Sequence, residues 1–79
     1  MYYLIVNKNT GEYYCNRSDD PWHSINAHIR RANSPESKTY NSLLHKALRE
    51  QGIDNFNFFS CEQPPKWIEH LTRYMKPND

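Results

Sequence analysis

The side chains best suited to chemistry are two phenols near the start of the chain and an imidazole and a guanidinium after them. Tyr3 and Tyr14 lie eleven positions apart in two short aromatic runs. Ser24, His28 and Arg31 recur at intervals of four and three, so they share one face if their segment is helical. A phenol, with an unperturbed pKa of about 10, takes a proton near neutral pH only if that pKa is lowered or a metal-bound water assists.

The elements that would position these side chains follow from the spacing of apolar residues and turn formers. Residues 2–6 are short, aromatic and β-branched, and after a polar turn residues 12–15 form the returning strand of a predicted hairpin. A helix is predicted to begin at Pro21, because Asp20 can cap its free N–H groups and proline suits the first helical position. The phenols are therefore expected on the hairpin and His28 on the helix.

Three further elements are predicted downstream. A second helix covers about residues 40–51, a third strand covers residues 56–60, and a last helix begins at residues 64–65. The fold class predicted is α+β, a small antiparallel or mixed three-stranded sheet flanked by three helices in the order β-β-α-α-β-α. The predicted core face of each helix includes, in order, Trp22, Ile25, Ile29 and Ala32; Leu43, Leu44, Ala47 and Leu48; and Trp67, Ile68, Leu71, Tyr74 and Met75.

The composition indicates one small domain with a thin core. The chain has 79 residues, of which 37% are hydrophobic, and a formal net charge of +1. Any nucleic-acid contact must therefore come from a local patch rather than from the overall charge. The two cysteines do not form a CxxC motif, and no run of about 18 apolar residues is present. We expect a single domain over residues 1–79, with a frayed tail at 76–79, in the cytoplasm and without membrane contact.

The hairpin and the segments after it resemble the GIY-YIG nuclease family. Tyr3 and Tyr14 stand where the two motifs of that family place their tyrosines. Residues 41–52 are similar to its central amphipathic segment that ends in glycine, and residues 54–58 to the stretch that leads into its third strand. The resemblance covers roughly residues 2–62. It implies the fold of that family and a site in which tyrosine, arginine and a metal-binding glutamate cut a phosphodiester.

The resemblance extends unevenly to the functional positions of the family. The resemblance implies that the phenol of Tyr14 lies near the attacking water. The glycine that ends the second motif is Asn16 here, and the arginine that would bind the scissile phosphate falls on Ser24, which lacks its charge and reach. Arg31 or Arg17 is the candidate replacement. With His28 at the position of the family's histidine, the candidate catalytic residues are Tyr3, Tyr14, His28 and Arg31.

Magnesium is the cofactor that the resemblance implies if the chain cleaves. One carboxylate together with phosphate oxygens can hold this ion. Glu69, on the predicted last helix, is the candidate ligand, and Glu62, at the end of the third strand, is the alternative. The four histidines and two cysteines lack zinc-finger spacing, so no zinc site is predicted.

Each of these features also has a structural explanation. The two tyrosines can be cross-strand aromatic partners, and His28 can be a half-buried structural histidine. Basic residues that would contact nucleic acid can equally form an ordinary solvated surface. The candidates for nucleic-acid contact are Arg17, Arg30, Arg31 and Lys46.

Three functions are compatible with the sequence. The altered motif positions favour a degenerate GIY-YIG-like domain that does not cleave and acts as a binding, inhibitor or accessory protein, of the kind that mobile elements encode. Its partner would be DNA, RNA or another protein. The alternatives are an active magnesium-dependent endonuclease and an unrelated interaction module. The oligomeric state stays open, a dimer included.

Overall fold

The fold is organised by a central strand that pairs on both sides. The structure, a computed structural model, describes residues 1–76. Strand β1 (Tyr2–Asn7) pairs antiparallel with β2 (Tyr13–Arg17) and with β3 (Phe56–Cys61), so the order in the sheet is β2-β1-β3. The predicted hairpin and third strand are confirmed, and the sheet is wholly antiparallel.

Two α-helices connect the hairpin to the third strand. Helix α1 (Pro21–Ala32) begins as predicted, with the Asp20 carboxylate accepting from the His23 N–H at 3.2 Å. Helix α2 (Leu43–Gln51) begins later than predicted, because Ser42 has an extended backbone and its hydroxyl caps the first turn.

Glycine ends the second helix, as the sequence predicts. Gly52 has a φ of +85°, in the left-handed region that a residue without a Cβ adopts readily. A single 3₁₀ turn (Ile53–Asn55) then leads directly into β3.

The two faces of the sheet are covered by different parts of the chain. Residues alternate along β1, so Tyr3 and Ile5 face the helices while Leu4 faces the opposite side. The helix side forms the larger core, which also contains Ile25, Ala32, Leu44, Ala47, Leu48 and Phe56. The opposite side is a smaller cluster of Leu4, Tyr13 and Cys15, against which Ile68 and Met75 pack.

The predicted third helix is not found. After β3 the described chain forms turns, bends and one isolated bridge, between Tyr13 and Met75. The Tyr13 N–H donates to the Met75 carbonyl at 2.8 Å, the Met75 N–H donates back at 3.1 Å, and the Thr72 N–H donates to Cys15 at 2.8 Å. The segment therefore provides hydrogen-bond partners for backbone groups at the outer edge of β2. This pairing, and not the helical spacing of its apolar residues, determines its conformation.

Both tryptophans were wrongly predicted as core anchors. The side chain of Trp22 is 52% exposed and that of Trp67 is 48% exposed. Trp67 covers the buried Tyr13 ring edge-on, with the ring centroids 5.1 Å apart. Leu43 is also wrong as a core residue, since it occupies the first position of α2 and is 71% exposed.

The C-terminal tail and the possibility of a membrane-spanning helix were also addressed by the sequence predictions. Lys76 is exposed, and residues 77–79 of the predicted frayed tail lie outside the described residues. Within residues 1–76, no helix has both the length and the apolar character that crossing a membrane requires.

A buried asparagine ties the end of β1 to distant parts of the chain. Asn7 is fully buried, and its amide donates to Gln51 Oε1 and to the Tyr74 hydroxyl, both at 2.9 Å. Its side-chain oxygen accepts from the Asn9 N–H at 2.9 Å. One side chain therefore joins α2, the C-terminal segment and the hairpin turn.

We expect Asn7→Ala to lower the free energy of unfolding by about 2–3 kcal/mol, because it leaves buried partners unpaired and creates a void. Urea unfolding followed by circular dichroism measures this change. The control is Asn57→Ala at an exposed position of β3, which should change stability by less than about 0.5 kcal/mol. Equal effects of the two variants would contradict the role given to Asn7.

Candidate functional site

The four candidate catalytic residues lie around one cleft. Tyr3 on β1, Tyr14 on β2, and His28 and Arg31 on α1 all line a cavity of about 700 Å³. Helix α2 and the C-terminal segment complete its walls. The fold therefore brings four candidate side chains from three separate elements to one cavity, with His28 and Arg31 one helical turn apart on α1.

A continuous chain of hydrogen bonds runs along the wall of this cleft, through Tyr3, His28, His45 and Thr39. The Tyr3 hydroxyl lies 2.7 Å from His28 Nε2, and His28 Nδ1 lies 2.8 Å from His45 Nε2. His45 Nδ1 lies 2.9 Å from the backbone oxygen of Thr39. The chain thus joins β1, both helices and the loop between them.

The last acceptor fixes the direction of every bond when both imidazoles are neutral. A carbonyl oxygen only accepts, so His45 carries its proton on Nδ1 and accepts on Nε2. His28 then donates from Nδ1, and its Nε2 accepts the proton of the Tyr3 hydroxyl. Tyr3 is therefore a donor to His28, and its oxygen retains acceptor capacity for a group in the cleft.

The electrostatic environment keeps this chain neutral. Burial, together with His45 and Arg31, lowers the pKa of His28 from 6.5 to about 4. Burial also lowers the pKa of His45, with Arg31 and Arg49 acting in the same direction and the Thr39 carbonyl opposing them. Burial and the adjacent Tyr14 raise the pKa of Tyr3 above its ordinary value. Neither a phenolate nor an imidazolium is favoured here at neutral pH.

Tyr14 lies against the same histidine without being directly opposite Tyr3. The register pairs Tyr14 with Ile5 and Tyr3 with Asn16, so the two tyrosines are diagonal neighbours on one sheet face. Their ring centroids are 6.1 Å apart, and the Tyr14 ring lies edge-on to His28 at 5.1 Å. Tyr14 is half-buried. It thus packs as a cross-strand aromatic partner and borders the cleft at once.

Ser24 and Asn16, where the sequence departs from the motifs that it resembles, differ in their relation to the cleft. Ser24 is not among the described lining residues, and its hydroxyl lies 2.6 Å from that of Ser18. Asn16 does line the cleft. Its φ is not positive, since Thr72 is the one non-glycine residue with a positive φ in the described chain. The backbone at Asn16 therefore does not need the left-handed geometry that favours glycine.

Only some of the candidate phosphate-binding residues reach the cleft. Arg31 lines it, whereas Arg17, Arg30 and Lys46 are exposed and lie outside the described lining. Arg73, from the C-terminal segment, lines the cleft although the sequence did not single it out. Two guanidinium groups therefore border the same cavity.

A third guanidinium is committed to the fold. Arg49 donates from one nitrogen to the backbone oxygens of Ala32 at 2.6 Å and Tyr40 at 3.0 Å. Its central carbon lies 3.7 Å from the centroid of the Tyr40 ring. Arg49 therefore caps the C-terminus of α1 and holds the loop between the helices, which leaves it unsuited to a ligand.

The donor set of the cleft does not fit a magnesium ion. Glu69 and Glu62 are both exposed, and neither lines the cavity. The lining residues that the structure describes include no carboxylate at all. Across residues 1–76, no group of three or more histidine, cysteine or acidic side chains is placed to hold a metal. The carboxylate ligand through which proteins usually hold magnesium is thus absent from the described part of this wall.

Sequence reasoning missed two residues of the site. His45 follows the buried Leu44 on α2 and shares the inward face with Leu48, so a titratable residue within a buried stripe was the available signal. No such signal marked Arg73. It enters the cleft only because its segment leaves the predicted helical path to pair with β2.

Comparison with known proteins adds no relative to this picture. No protein-family model, curated protein or solved structure matches the chain. The resemblance to the GIY-YIG family therefore stays a prediction, and the functional argument rests on the geometry of the cleft.

We expect stability to fall as the pH drops from about 7 to 4. The unfolded chain binds a proton on His28 near pH 6.5, whereas the folded chain binds it only near pH 4. The stabilisation is therefore complete above about pH 7 and is lost through this window. After allowance for solvent screening, the loss from His28 is on the order of 1–2 kcal/mol.

Urea unfolding at several pH values measures this dependence. His28→Gln should flatten the curve between pH 4 and 6.5, whereas His23→Gln, at an exposed position on the same helix, should not. Nitrogen chemical shifts of His28 at pH 6 should also indicate a neutral ring protonated on Nδ1. A charged ring at that pH would contradict the assigned hydrogen-bond direction.

Proposed function

We propose that this chain is a GIY-YIG-like domain that binds the phosphodiester backbone of a nucleic acid in the cleft and does not cleave it. The observation that carries the proposal is that Arg31 and Arg73 both line a cavity whose described lining has no carboxylate. Such a wall attracts an anion and lacks a ligand for a catalytic cation.

The neutral groups around the two arginines suit the same ligand. The Asn16 amide, the Ser42 hydroxyl and the Tyr14 phenol are all on the wall and can donate hydrogen bonds to phosphate oxygens. Aromatic rings beside such donors also offer a surface for a base. Because the net charge is only +1, the attraction must come from these local groups.

Three features argue for binding over cleavage. The position of the family's phosphate-binding arginine holds Ser24, whose hydroxyl pairs with Ser18. A catalytic base works best with a pKa near the operating pH, but the pKa of His28 is about 4. The pKa of Tyr3 is shifted upward, so transfer of its proton to His28 is strongly unfavourable.

Binding without cleavage suits an inhibitor or accessory protein. A domain that covers a phosphodiester competes with any enzyme or protein that needs the same strand. The described cysteines, Cys15 and Cys61, are both free, which fits the reducing cytoplasm expected from the sequence. The link to mobile elements rests on the family resemblance alone.

We expect Arg31→Ala and Arg73→Ala each to weaken binding to a fluorescent oligonucleotide about five- to tenfold, because each removes one charge-assisted contact. Each variant should also reduce the salt slope of the affinity by about one. Anisotropy titrations with single-stranded DNA, duplex DNA and RNA at several salt concentrations measure both quantities.

The matched control for these titrations is Arg30→Ala, adjacent to Arg31 but outside the described lining. It should leave the affinity within about twofold, since it removes the same charge from the same helix at a different face. An equal loss in Arg30→Ala and Arg31→Ala would indicate diffuse surface binding, and no binding by the unmodified protein would refute the proposal.

Phosphodiester cleavage is the second candidate, and the geometry of the hydrogen-bond chain is the observation that favours it, although the pKa values of that chain oppose it. The Tyr3 hydroxyl donates a hydrogen bond to His28. Its oxygen can at the same time accept a hydrogen bond from an attacking water or hydroxyl group. For the proton to move on, His28 Nδ1 would pass its own proton to His45 Nε2 and leave His45 doubly protonated, which the lowered pKa of His45 opposes. The two candidates therefore share a site and differ in whether this chain moves a proton.

Incubation with plasmid DNA and structured RNA distinguishes the two candidates. We expect no cutting with Mg²⁺, Mn²⁺ or EDTA, by folded protein at high concentration. Tyr3→Phe and Tyr14→Phe are assayed in parallel, because each removes one phenolic hydroxyl with little change in packing. Cutting by the unmodified protein that either variant loses would establish cleavage and overturn the binding proposal.

A further inference from the structure

The two outer edges of the sheet differ in whether another segment of the described chain pairs with them. The edge of β2 is occupied, because the C-terminal segment pairs with Tyr13 and Cys15 through three backbone hydrogen bonds. The edge of β3 pairs with nothing in the described chain, since β3 hydrogen-bonds only to β1. A row of backbone N–H and carbonyl groups along Phe56–Cys61 is thus available to another strand.

The exposed edge lacks the features that usually protect such strands. Natural edge strands carry lysine, proline, a bulge or very few residues. β3 has six residues, Phe-Asn-Phe-Phe-Ser-Cys, with no charge, proline or glycine, and its pairing with β1 is continuous. Its Phe59 side chain is 46% exposed. The chemistry of this edge therefore matches an extended, uncharged and partly aromatic strand.

We propose that β3 pairs with β3 of a second copy of this chain, antiparallel across a two-fold axis, to form one continuous six-stranded sheet. Directly opposite residues in such a pair share a sheet face. A two-fold axis through Phe59 therefore places the two Phe59 rings opposite each other and Asn57 opposite Cys61 of the partner subunit. Every copy carries the edge, so the interface is isologous.

The side chains of β3 are compatible with this self-pairing. An aromatic pair directly opposite across an antiparallel ladder is among the favourable cross-strand contacts. The flanking carboxylates, Asp54 and Glu62, do not meet a like charge, because this register places Glu62 opposite Phe56 of the partner subunit. Neither carboxylate therefore opposes the pairing of the two edges through like-charge repulsion across the ladder.

The proposed pairing leaves the binding cleft open. Tyr14 is on β2, which forms the edge of the sheet opposite to β3. The two-fold axis is perpendicular to the sheet, so both helical layers, and with them both clefts, face the same way. If the proposed function is correct, the dimer presents two phosphate-binding clefts to one nucleic acid, which raises its avidity.

Sedimentation equilibrium of the full chain without nucleic acid tests the pairing independently of the proposed function. We expect a reversible dimer over about 5–500 μM, as befits a small interface. Phe59→Lys and Phe59→Glu should each raise the dimer dissociation constant at least tenfold, because each places like charges directly opposite. An equimolar mixture of the two should dimerise again, since opposite charges then meet.

The matched control is Trp22→Lys, which replaces another exposed aromatic residue away from the edge and should leave dimerisation unchanged. If Phe59→Lys does not fold by circular dichroism, Ser60→Lys at an exposed position tests the pairing in another way, because a lysine on the edge disfavours strand addition and should weaken the dimer. A monomer at all concentrations, a dimer that tolerates these charges, or no recovery in the mixture would overturn the proposal. Loss of dimer with retained oligonucleotide binding would separate the interface from the cleft.

Discussion

The carbonyl group of Thr39 is the constraint on which the rest of the site depends. A carbonyl can only accept a hydrogen bond, so it determines the tautomer of His45, then that of His28, and finally the direction of the Tyr3 hydroxyl. These groups belong to a loop, two helices and a strand. Unpaired buried polar groups are costly, so the four elements must keep their relative positions for the chain of bonds to close.

The sequence was sufficient wherever local chemistry decides the structure. The Asp20–Pro21 cap, the glycine at the end of α2 and the alternating strands are each specified by a few adjacent residues. The elements that carry Tyr3, Tyr14, His28 and Arg31 could be predicted because the hairpin and α1 follow from such local rules, and the structure brings these four side chains to one cleft. His45 could also be predicted, because it is a polar residue within a buried apolar stripe.

Long-range pairing explains what the sequence could not provide. Residues 64–75 have a helical apolar period, yet the open edge of β2 and the uncovered side of the sheet recruit them as an irregular cover. No local pattern reveals that demand, because it depends on where β2 lies in the assembled sheet. Three differences from the prediction follow from this conformation. Arg73 lines the cleft, Trp67 is half-exposed, and Glu69 does not lie on a helix.

The hydrogen-bond chain resembles a proton relay, but its pKa values support the proposal that the cleft binds without cleaving. A relay moves a proton easily only when donor and acceptor have similar pKa values. Here burial separates them, raising the pKa of Tyr3 and lowering that of His28 to about 4. Protonation of His28 would place a cation beside Arg31 and break the accepting end of its bond with Tyr3. The two neutral imidazoles thus support the cleft wall, while the two arginines supply its charge.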